Sequence, residues 1–200
     1  AGMNFGLHFL AWRRLSLAPY RQDSEWRAYV GSSLAIAVLA AGYLALVGPY
    51  EDPWIAIHHG IFQAVSIGTT TGFTTAEYYA WPGFLPVLLL FASFIGGCAG
   101  STGGGMKVIR VLLLFKQGMR ELKRLVHPRA QFLIKINDKP LPDRIIDAVW
   151  GFFSAYVAIF ALMLLTLMAT GLDQVTAFSA VAASLNNLGP GLGEVGANYA

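Results

Sequence analysis

The chain has 200 residues, of which 56% are hydrophobic and 12% are charged, with a formal net charge of +3. Soluble domains carry about 25% charged residues, so this composition excludes an ordinary soluble domain. A single cysteine, Cys98, excludes an internal disulfide framework. The composition is typical of a protein that lies in a membrane.

The 14 Lys and Arg residues fall in two blocks, at positions 13–27 and 107–144. Basic residues mark the cytoplasmic flanks of membrane segments, so both blocks are predicted to be cytoplasmic. The second block is expected to contact anionic lipid and offers a docking surface for a cytosolic partner. Nucleic-acid binding would leave the apolar runs unexplained, so we expect no nucleic-acid partner.

Residues 1–27 open on "AGMNFGLHFLAWRR", which lacks an initiator Met and the basic start of a signal peptide. We expect this stretch to be the end of an inner helix already begun in a longer protein, followed by a cytoplasmic linker. Residues 28–47 carry no charge. At about 1.5 Å per residue, a run of about twenty residues crosses the hydrocarbon layer.

Residues 53–67 are apolar but too few to cross a bilayer, which favours a re-entrant half-helix. Asp52 is a plausible N-cap and Pro53 suits the first helical turn. The polar stretch "TTTGFTT" follows at positions 69–75. An acidic and aromatic patch at positions 77–81 is then expected at the outer membrane interface.

Residues 83–95 are apolar again, and "GGCAGSTGGG" at positions 96–105 then interrupts the run with six glycines in ten residues. The spacing matches neither a P-loop nor a Rossmann fingerprint, so no nucleotide site is expected on this chain. An unwound segment at membrane depth is tolerated beside a wet cavity. A close helix-packing seam of small residues is the alternative interpretation.

The remaining chain repeats this plan. After a basic helix to residue 126 and a proline-containing connector at 127–144, an apolar run at 145–170 predicts a second span. A short helix at 174–185 and "NNLGPGLG" follow. Placing Gly72 over Gly189 aligns the two polar loops, and the Gly-Met pair at the start aligns with the one at Gly105. We therefore expect repeated units, complete over residues 28–126 and incomplete over 145–200.

Both polar loops suit cation binding. A dehydrated cation needs oxygen ligands in place of water, and backbone carbonyls supply them without full charge. Glycine lets the backbone turn its carbonyls toward one axis. A half-helix aims its partially negative C-terminal end at the ion. A membrane-embedded enzyme is the rival class, but no convincing His or carboxylate partner lies at membrane depth, so we expect no enzyme.

The stretches "TTTGFTT", "GGCAGSTGGGMKVIR" and "NNLGPGLG", in that order, resemble the Trk-type potassium transport proteins of the TrkH/KtrB/HKT superfamily. The resemblance implies an all-α membrane protein of repeated span–pore helix–span units with re-entrant selectivity-filter loops, arranged pseudo-fourfold around one pore. It covers the end of the second repeat through the filter of the fourth. This chain alone therefore cannot close a four-part filter.

The resemblance also assigns roles to residues. The selectivity filter would consist of Thr69, Thr70, Thr71, Gly72, Phe73, Asn186, Asn187, Leu188 and Gly189. K⁺ would bind at Thr70, Thr71, Asn187 and Leu188. The gate would be the intramembrane loop Gly96, Gly97, Cys98, Ala99, Gly100, Ser101, Thr102, Gly103, Gly104 and Gly105. Two basic residues either face the inner cavity and repel cations or extend toward lipid headgroups: Lys107 and Arg110.

The family resemblance further implies K⁺ as the transported ion, with no organic cofactor on this chain. It implies a homodimer in the bacterial inner membrane and a cytosolic TrkA-like nucleotide-binding ring as partner. Coupling to Na⁺ or H⁺, as in a symporter, stays open. The alternative function is a Na⁺-selective or Na⁺-coupled cation transporter of the same superfamily.

Overall fold

The computed structural model describes residues 2–196, and helices dominate it. Within that range there are eight α-helices and one antiparallel hairpin of two-residue strands. The helices are α1 Phe5–Arg14, α2 Ala18–Gln22, α3 Ser24–Val47, α4 Pro53–Gly68, α5 Leu85–Ile95, α6 Val108–Val126, α7 Asp143–Ala169 and α8 Gln174–Asn186. The strands are β1 Lys135–Ile136 and β2 Lys139–Pro140, and single 3₁₀ turns occur at Tyr78–Ala80 and Gly193–Val195.

Helices α3 and α7 are the two in residues 2–196 that are long and apolar enough to cross a membrane. Their 24 and 27 residues exceed the roughly 20 that a spanning helix needs. No residue in the most apolar part of α7 is buried within the chain. Leu162 and Leu165 are 64% and 65% exposed. Such a surface requires lipid or further protein around it.

Helices α4 and α8 are the predicted half-helices, and each is capped by an aspartate. Asp52 accepts a hydrogen bond from the backbone N–H of Trp54 at 2.8 Å. Asp173 accepts from Val175 and Thr176 at 3.0 and 3.1 Å. These bonds satisfy N–H groups that the first helical turn leaves without partners.

Asp173 gives α8 an acid-sensitive start. Hydrogen bonding by the Thr176 side chain and backbone N–H lowers the pKa of Asp173 from its ordinary value of 3.8. A lowered folded-state pKa stabilises the helix above pH 3.8, and this stabilisation is lost as the pH falls through the lower folded value. We expect Asp173→Asn to keep the cap but flatten the acid side of the thermal-stability profile. Melting in detergent between pH 3 and pH 6 measures this, and an unchanged acid slope would contradict the assignment.

Small residues let α4 pack closely against α3. Ala40 and Ala56 are fully buried. A Cβ added to Gly60 would lie 2.8 Å from the Cα of Ala41, closer than atoms normally approach. The backbone of α4 therefore lies almost directly on α3, which fixes where the C-terminal end of α4 points.

One hydrophobic core joins the two half-helices and α5. Ile67 at the end of α4, Leu89 in α5 and Ala182 in α8 are each fully buried in the same cluster. Leu188, just after α8, belongs to it as well. The loops that follow α4 and α8 are consequently carried on a single packed unit.

Helices α5 and α6 flank the predicted helix interruption. Helix α5 ends at Ile95, and Gly96 follows with φ at +68°. Helix α6 starts only at Val108, after Lys107 with φ at +75°. The expected break over residues 96–105 is therefore present. We call these ten residues the Gly-rich loop.

Helix α1 begins at Phe5, with the Asn4 side chain accepting the N–H of Gly6 as its cap. The predominantly helical fold agrees with the all-α class expected from the sequence. Two features differ from the sequence-based expectations. The connector contains the short hairpin, which no sequence pattern predicted. Tyr78 and Trp81 are buried inside the protein at 1% and 5% exposure and so do not lie at a lipid interface.

Candidate functional site

The polar loops after α4 and α8 share one backbone pattern. We call residues 69–73 the Thr/Gly segment and residues 186–189 the Asn/Gly segment. Gly72 and Gly189 have φ of +82° and +102°. Two positions before each glycine stands a non-glycine residue with positive φ, Thr70 at +53° and Asn187 at +54°. This match supports the alignment of Gly72 with Gly189, since non-glycine residues seldom adopt that region.

The two segments lie against each other. A Cβ added to Gly72 would overlap the carbonyl oxygen of Leu188 and lie 3.3 Å from Cδ of Pro190. Gly189, in contrast, has open space where its Cβ would lie. Close approach therefore requires glycine at position 72, whereas position 189 needs it for backbone conformation alone.

Side chains from the half-helices and the outer loop hold the Thr/Gly segment and the residues just after the Asn/Gly segment in place. Ser66 Oγ donates to the carbonyl of Phe73 at 2.6 Å, while the Phe73 ring is 72% exposed. The Tyr78 hydroxyl donates to the carbonyl of Gly191 at 3.0 Å. Ser179 accepts the N–H of Leu192 at 2.8 Å. Burial raises the pKa of Tyr78, so its hydroxyl stays a donor.

Some backbone carbonyls of the two segments accept hydrogen bonds from protein groups, and others do not. Those of Phe73 and Asn186 accept hydrogen bonds, the latter from the N–H of Gly105 at 3.2 Å. Four other backbone carbonyls, those of Thr70, Thr71, Asn187 and Leu188, accept no hydrogen bond from any group within residues 2–196. These four oxygens could serve as ligands for a cation such as K⁺.

Asn186 has a structural side chain. Its Nδ2 donates to Ser93 Oγ at 2.9 Å, and its Oδ1 accepts from the Tyr156 hydroxyl at 2.6 Å. The amide is fully buried, so both bonds fix the end of α8 between α5 and α7. The Thr69 hydroxyl has a comparable role, because it donates to the carbonyl of Val65 at 2.7 Å.

The Gly-rich loop touches both segments through its backbone. The N–H of Gly104 donates to the Thr70 hydroxyl at 2.5 Å, and the N–H of Gly105 donates to the carbonyl of Asn186. A Cβ on Gly103 would lie 3.3 Å from the carbonyl oxygen of Thr69. One loop therefore lies against the two segments where they leave their half-helices.

Glycine is required within the loop because its backbone also approaches itself. A Cβ on Gly96 would overlap the carbonyl oxygen of Gly104. Gly97 lies near Ser101 Oγ, which would be 2.6 Å from an added Cβ. Thr102 is exposed, in contrast to Cys98, which is fully buried. The loop is thus a compact turn.

The opposite side of the loop is fixed by the start of the chain and by α3. The N–H of Cys98 donates to the carbonyl of Gly2 at 2.7 Å, and Gly100 accepts the N–H of Phe5 at 3.1 Å. Glu25 Oε1 accepts the N–H of Ala99 at 2.6 Å.

Lys107 and Arg110 bind protein groups. The Lys107 ammonium donates to the carbonyl oxygen of Gly103, and at 3.4 Å to that of Ser101. Arg110 lies 4.1 Å from the ring centre of Phe152 and donates at 3.2 Å to the backbone carbonyl of Met106, just before α6. The Lys107 charge is therefore held on the loop, next to the two polar segments.

Sequence reasoning missed two residues of this site, Glu25 and the Asn186 side chain as a clamp. Glu25 is an acidic residue inside the first basic block, and this unusual position is the sequence feature that could have indicated a specific role. The contact of Asn186 with Tyr156 spans 30 positions, so no local pattern indicates it.

A family model described as TrkH, cation transport protein, matches residues 34–200. The chain is 56% identical over 198 residues to the Trk system potassium uptake protein TrkH of Vibrio parahaemolyticus. It is 53% identical over 199 residues to TrkH of Escherichia coli, and 35% to TrkG of that organism. The aligned regions cover 98% to 100% of this chain and 41% of each relative.

The crystal structure of the potassium transporter TrkH from Vibrio parahaemolyticus has the same fold. It superposes with a TM-score of 0.90 at 57% identity, covering 96% of this chain and 42% of that one. The chain therefore spans about two-fifths of the length of the relatives it matches. With the family model covering most of its residues, the chain belongs to the TrkH family of cation transport proteins.

Proposed function

We propose that this chain forms part of a membrane protein that takes up K⁺ through a filter of backbone carbonyls. K⁺ would shed water and be bound by the carbonyl oxygens of Thr70, Thr71, Asn187 and Leu188. These are the carbonyls to which the described protein groups donate no hydrogen bond. The C-terminal ends of α4 and α8 would add partial negative charge beside the ion.

One observation carries this proposal: a single Gly-rich loop donates N–H groups to Thr70 in one segment and to Asn186 in the other. A scaffold protein has no need to bring these three irregular stretches together at membrane depth. A conducting protein does, because its ion path must pass both polar segments and be closed beneath them. The loop is therefore proposed as the gate.

We propose the wider organisation by analogy with the family. Residues 28–126 would be one complete repeat, and residues 145–200 the start of the next, joined by a cytoplasmic connector at 127–144. Residues 1–27 would end the preceding repeat. The remainder of a longer protein would complete the filter. The assembly would be a homodimer in the bacterial inner membrane, controlled by a cytosolic TrkA-like nucleotide-binding partner.

Cation uptake by the full-length protein in liposomes tests the function. Uptake of K⁺, Rb⁺, Na⁺ and Li⁺ is measured side by side under the same gradient, with protein-free vesicles as the control. We expect K⁺ and Rb⁺ to enter faster than Na⁺ and Li⁺, because the larger ions lose their water more readily. Faster Na⁺ entry would favour the Na⁺-selective alternative. No protein-dependent uptake of any of the four would contradict both functions.

A further inference from the structure

Glu25 joins the start of α3 to the Gly-rich loop and to the start of α6. Its Oε1 accepts the N–H of Ala99, inside the Gly-rich loop, at 2.6 Å. The same oxygen accepts the N–H of Ile109, in the first turn of α6, at 3.2 Å. The residue is only 6% exposed. Without this carboxylate, two backbone donors would lose their partner in a buried place.

The hairpin reaches the residues just before Glu25. Asn137 lies in the hairpin turn, with φ at +47°. Its Oδ1 accepts the N–H of Ser24 at 2.7 Å, and its Nδ2 donates to Asp23 at 3.1 Å. One side chain in the connector thus binds the cap and the first residue of α3.

The hairpin is also fixed to α6 and α7. Lys116 in α6 donates to the carbonyl of Lys135 at 2.6 Å. Ile134, just before the hairpin, is buried in a cluster with Leu113 of α6 and Ile146 of α7. A force applied to the hairpin would therefore act on the inner ends of α3, α6 and α7 together.

We propose that Glu25 is the positioning residue of the Gly-rich loop, and that Asn137 couples the cytoplasmic hairpin to it through Asp23 and Ser24. The inference rests on the proposed gate function of the loop. While Asn137 holds the first turn of α3, Glu25 keeps Ala99 and the start of α6 in their closed places. Displacement of the hairpin frees that turn and lets the loop move.

Cys98 offers a readout of loop position that does not depend on ion flow. It is fully buried in the loop and adjacent to Ala99. The full-length protein is used in liposomes, with any cysteine other than Cys98 replaced. The measured quantity is the rate at which a charged methanethiosulfonate reagent modifies Cys98 from the cytoplasmic side.

We expect Glu25→Ala to raise this rate on the order of tenfold, because two buried donors lose their acceptor. Glu25→Gln keeps a carbonyl oxygen and is expected to change the rate far less. A rate for Glu25→Ala within about twofold of wild type, in protein that still elutes as the wild-type species, overturns the positioning role.

Asn137→Gly removes the side-chain contacts while suiting the positive φ, and it should raise the rate severalfold. Asp138→Gly is the matched control, because Asp138 is the next residue in the turn and also has positive φ, at +62°. If the two sites act in series, Glu25→Ala combined with Asn137→Gly gives no higher rate than Glu25→Ala alone. The coupling is overturned if the effects of Glu25→Ala and Asn137→Gly on the modification rate multiply in the double variant. It is also overturned if Asn137→Gly and Asp138→Gly raise the rate equally.

K⁺ uptake by the same vesicles keeps the two ideas separate. Wild-type uptake of K⁺ tests the proposed function, and the Cys98 rates test the loop attachment. If K⁺ is taken up but the Cys98 rates do not change as expected, the proposed roles of Glu25 and Asn137 are rejected and the transport function is retained. If the Cys98 rates change as expected but no K⁺ is taken up, the transport function is rejected and the roles of the two residues are retained.

Discussion

Replacing Gly72 with alanine is expected to lower K⁺ uptake by about tenfold or more, because position 72 has no space for a Cβ. The added carbon would overlap the carbonyl oxygen of Leu188. That oxygen is one of the four proposed ligands, so relieving the overlap moves an ion ligand. A shift of about 1 Å in a ligand is enough to lose a site built for a dehydrated ion.

Substitutions at two other glycines distinguish a collision of the added Cβ from backbone strain as the cause of this loss of uptake. Gly189 has φ at +102° but open space around its Cβ position, so Gly189→Ala adds backbone strain without a collision. Gly68, at the end of α4, has neither feature. We expect Gly68→Ala to retain uptake within about twofold of wild type, and Gly189→Ala to be intermediate, since strain of this kind costs about 1–3 kcal/mol.

Initial rates of K⁺ and Na⁺ uptake in liposomes, corrected for the amount of folded protein, provide the measurement. The ratio of the two rates should fall in Gly72→Ala if a ligand oxygen has moved. Wild-type rates and ratio in Gly72→Ala would show that the contact with Leu188 is not part of the ion path.

The half-helices could be predicted closely because their signals are local. The sequence predicted a helix over residues 53–67, and the structure has Pro53–Gly68. It predicted 174–185, and the structure has Gln174–Asn186. In both, an aspartate cap sets the start and a change from apolar to polar residues sets the end. The first span was less accurate. Helix α3 begins four residues earlier than predicted, at Ser24, because the Asp23 cap outweighs the charges that follow it.

Contacts between distant parts of the chain could not be predicted from one sequence. The hairpin has strands of two residues each, too short for any alternating pattern to show. Glu25 contacts Ala99, 74 positions away. The residues around Tyr78 have the composition of a membrane interface, yet its hydroxyl donates a hydrogen bond to the carbonyl of Gly191, 113 positions away. In each case the partner decides the role, and the partner is set by tertiary packing.

The glycine pattern itself was the most informative local signal. It placed Gly72 and Gly189 at equivalent positions, and both have the positive φ that glycine permits. It did not indicate that Thr70 and Asn187 would also adopt positive φ. That conformation depends on hydrogen bonds each segment makes with its surroundings, among them the donation from Gly104 to Thr70.

Replacing Gly104 with alanine is expected to raise basal K⁺ uptake, measured without an activating nucleotide, by about threefold to tenfold. A Cβ at this position would overlap the carbonyl oxygen of Asn186. The loop must then move away from the Asn/Gly segment, and the bond from Gly105 to that carbonyl is lost. Because the proposed closed arrangement of the loop depends on these contacts, destabilising it would shift the population toward open states.

Gly118→Ala is the matched control, because Gly118 lies in α6 with open space around its Cβ position. It should leave unchanged both basal uptake and the response to nucleotide added together with the proposed TrkA-like partner. Thr70→Val tests the same closure from the other side, since it removes the acceptor of the Gly104 N–H, whereas Thr70→Ser retains it. Basal uptake at or below the wild-type level in both Gly104→Ala and Thr70→Val would show that the loop does not close the path. Elevated basal uptake with a weakened nucleotide response would instead place the barrier to K⁺ at the contact between this loop and the two segments above it.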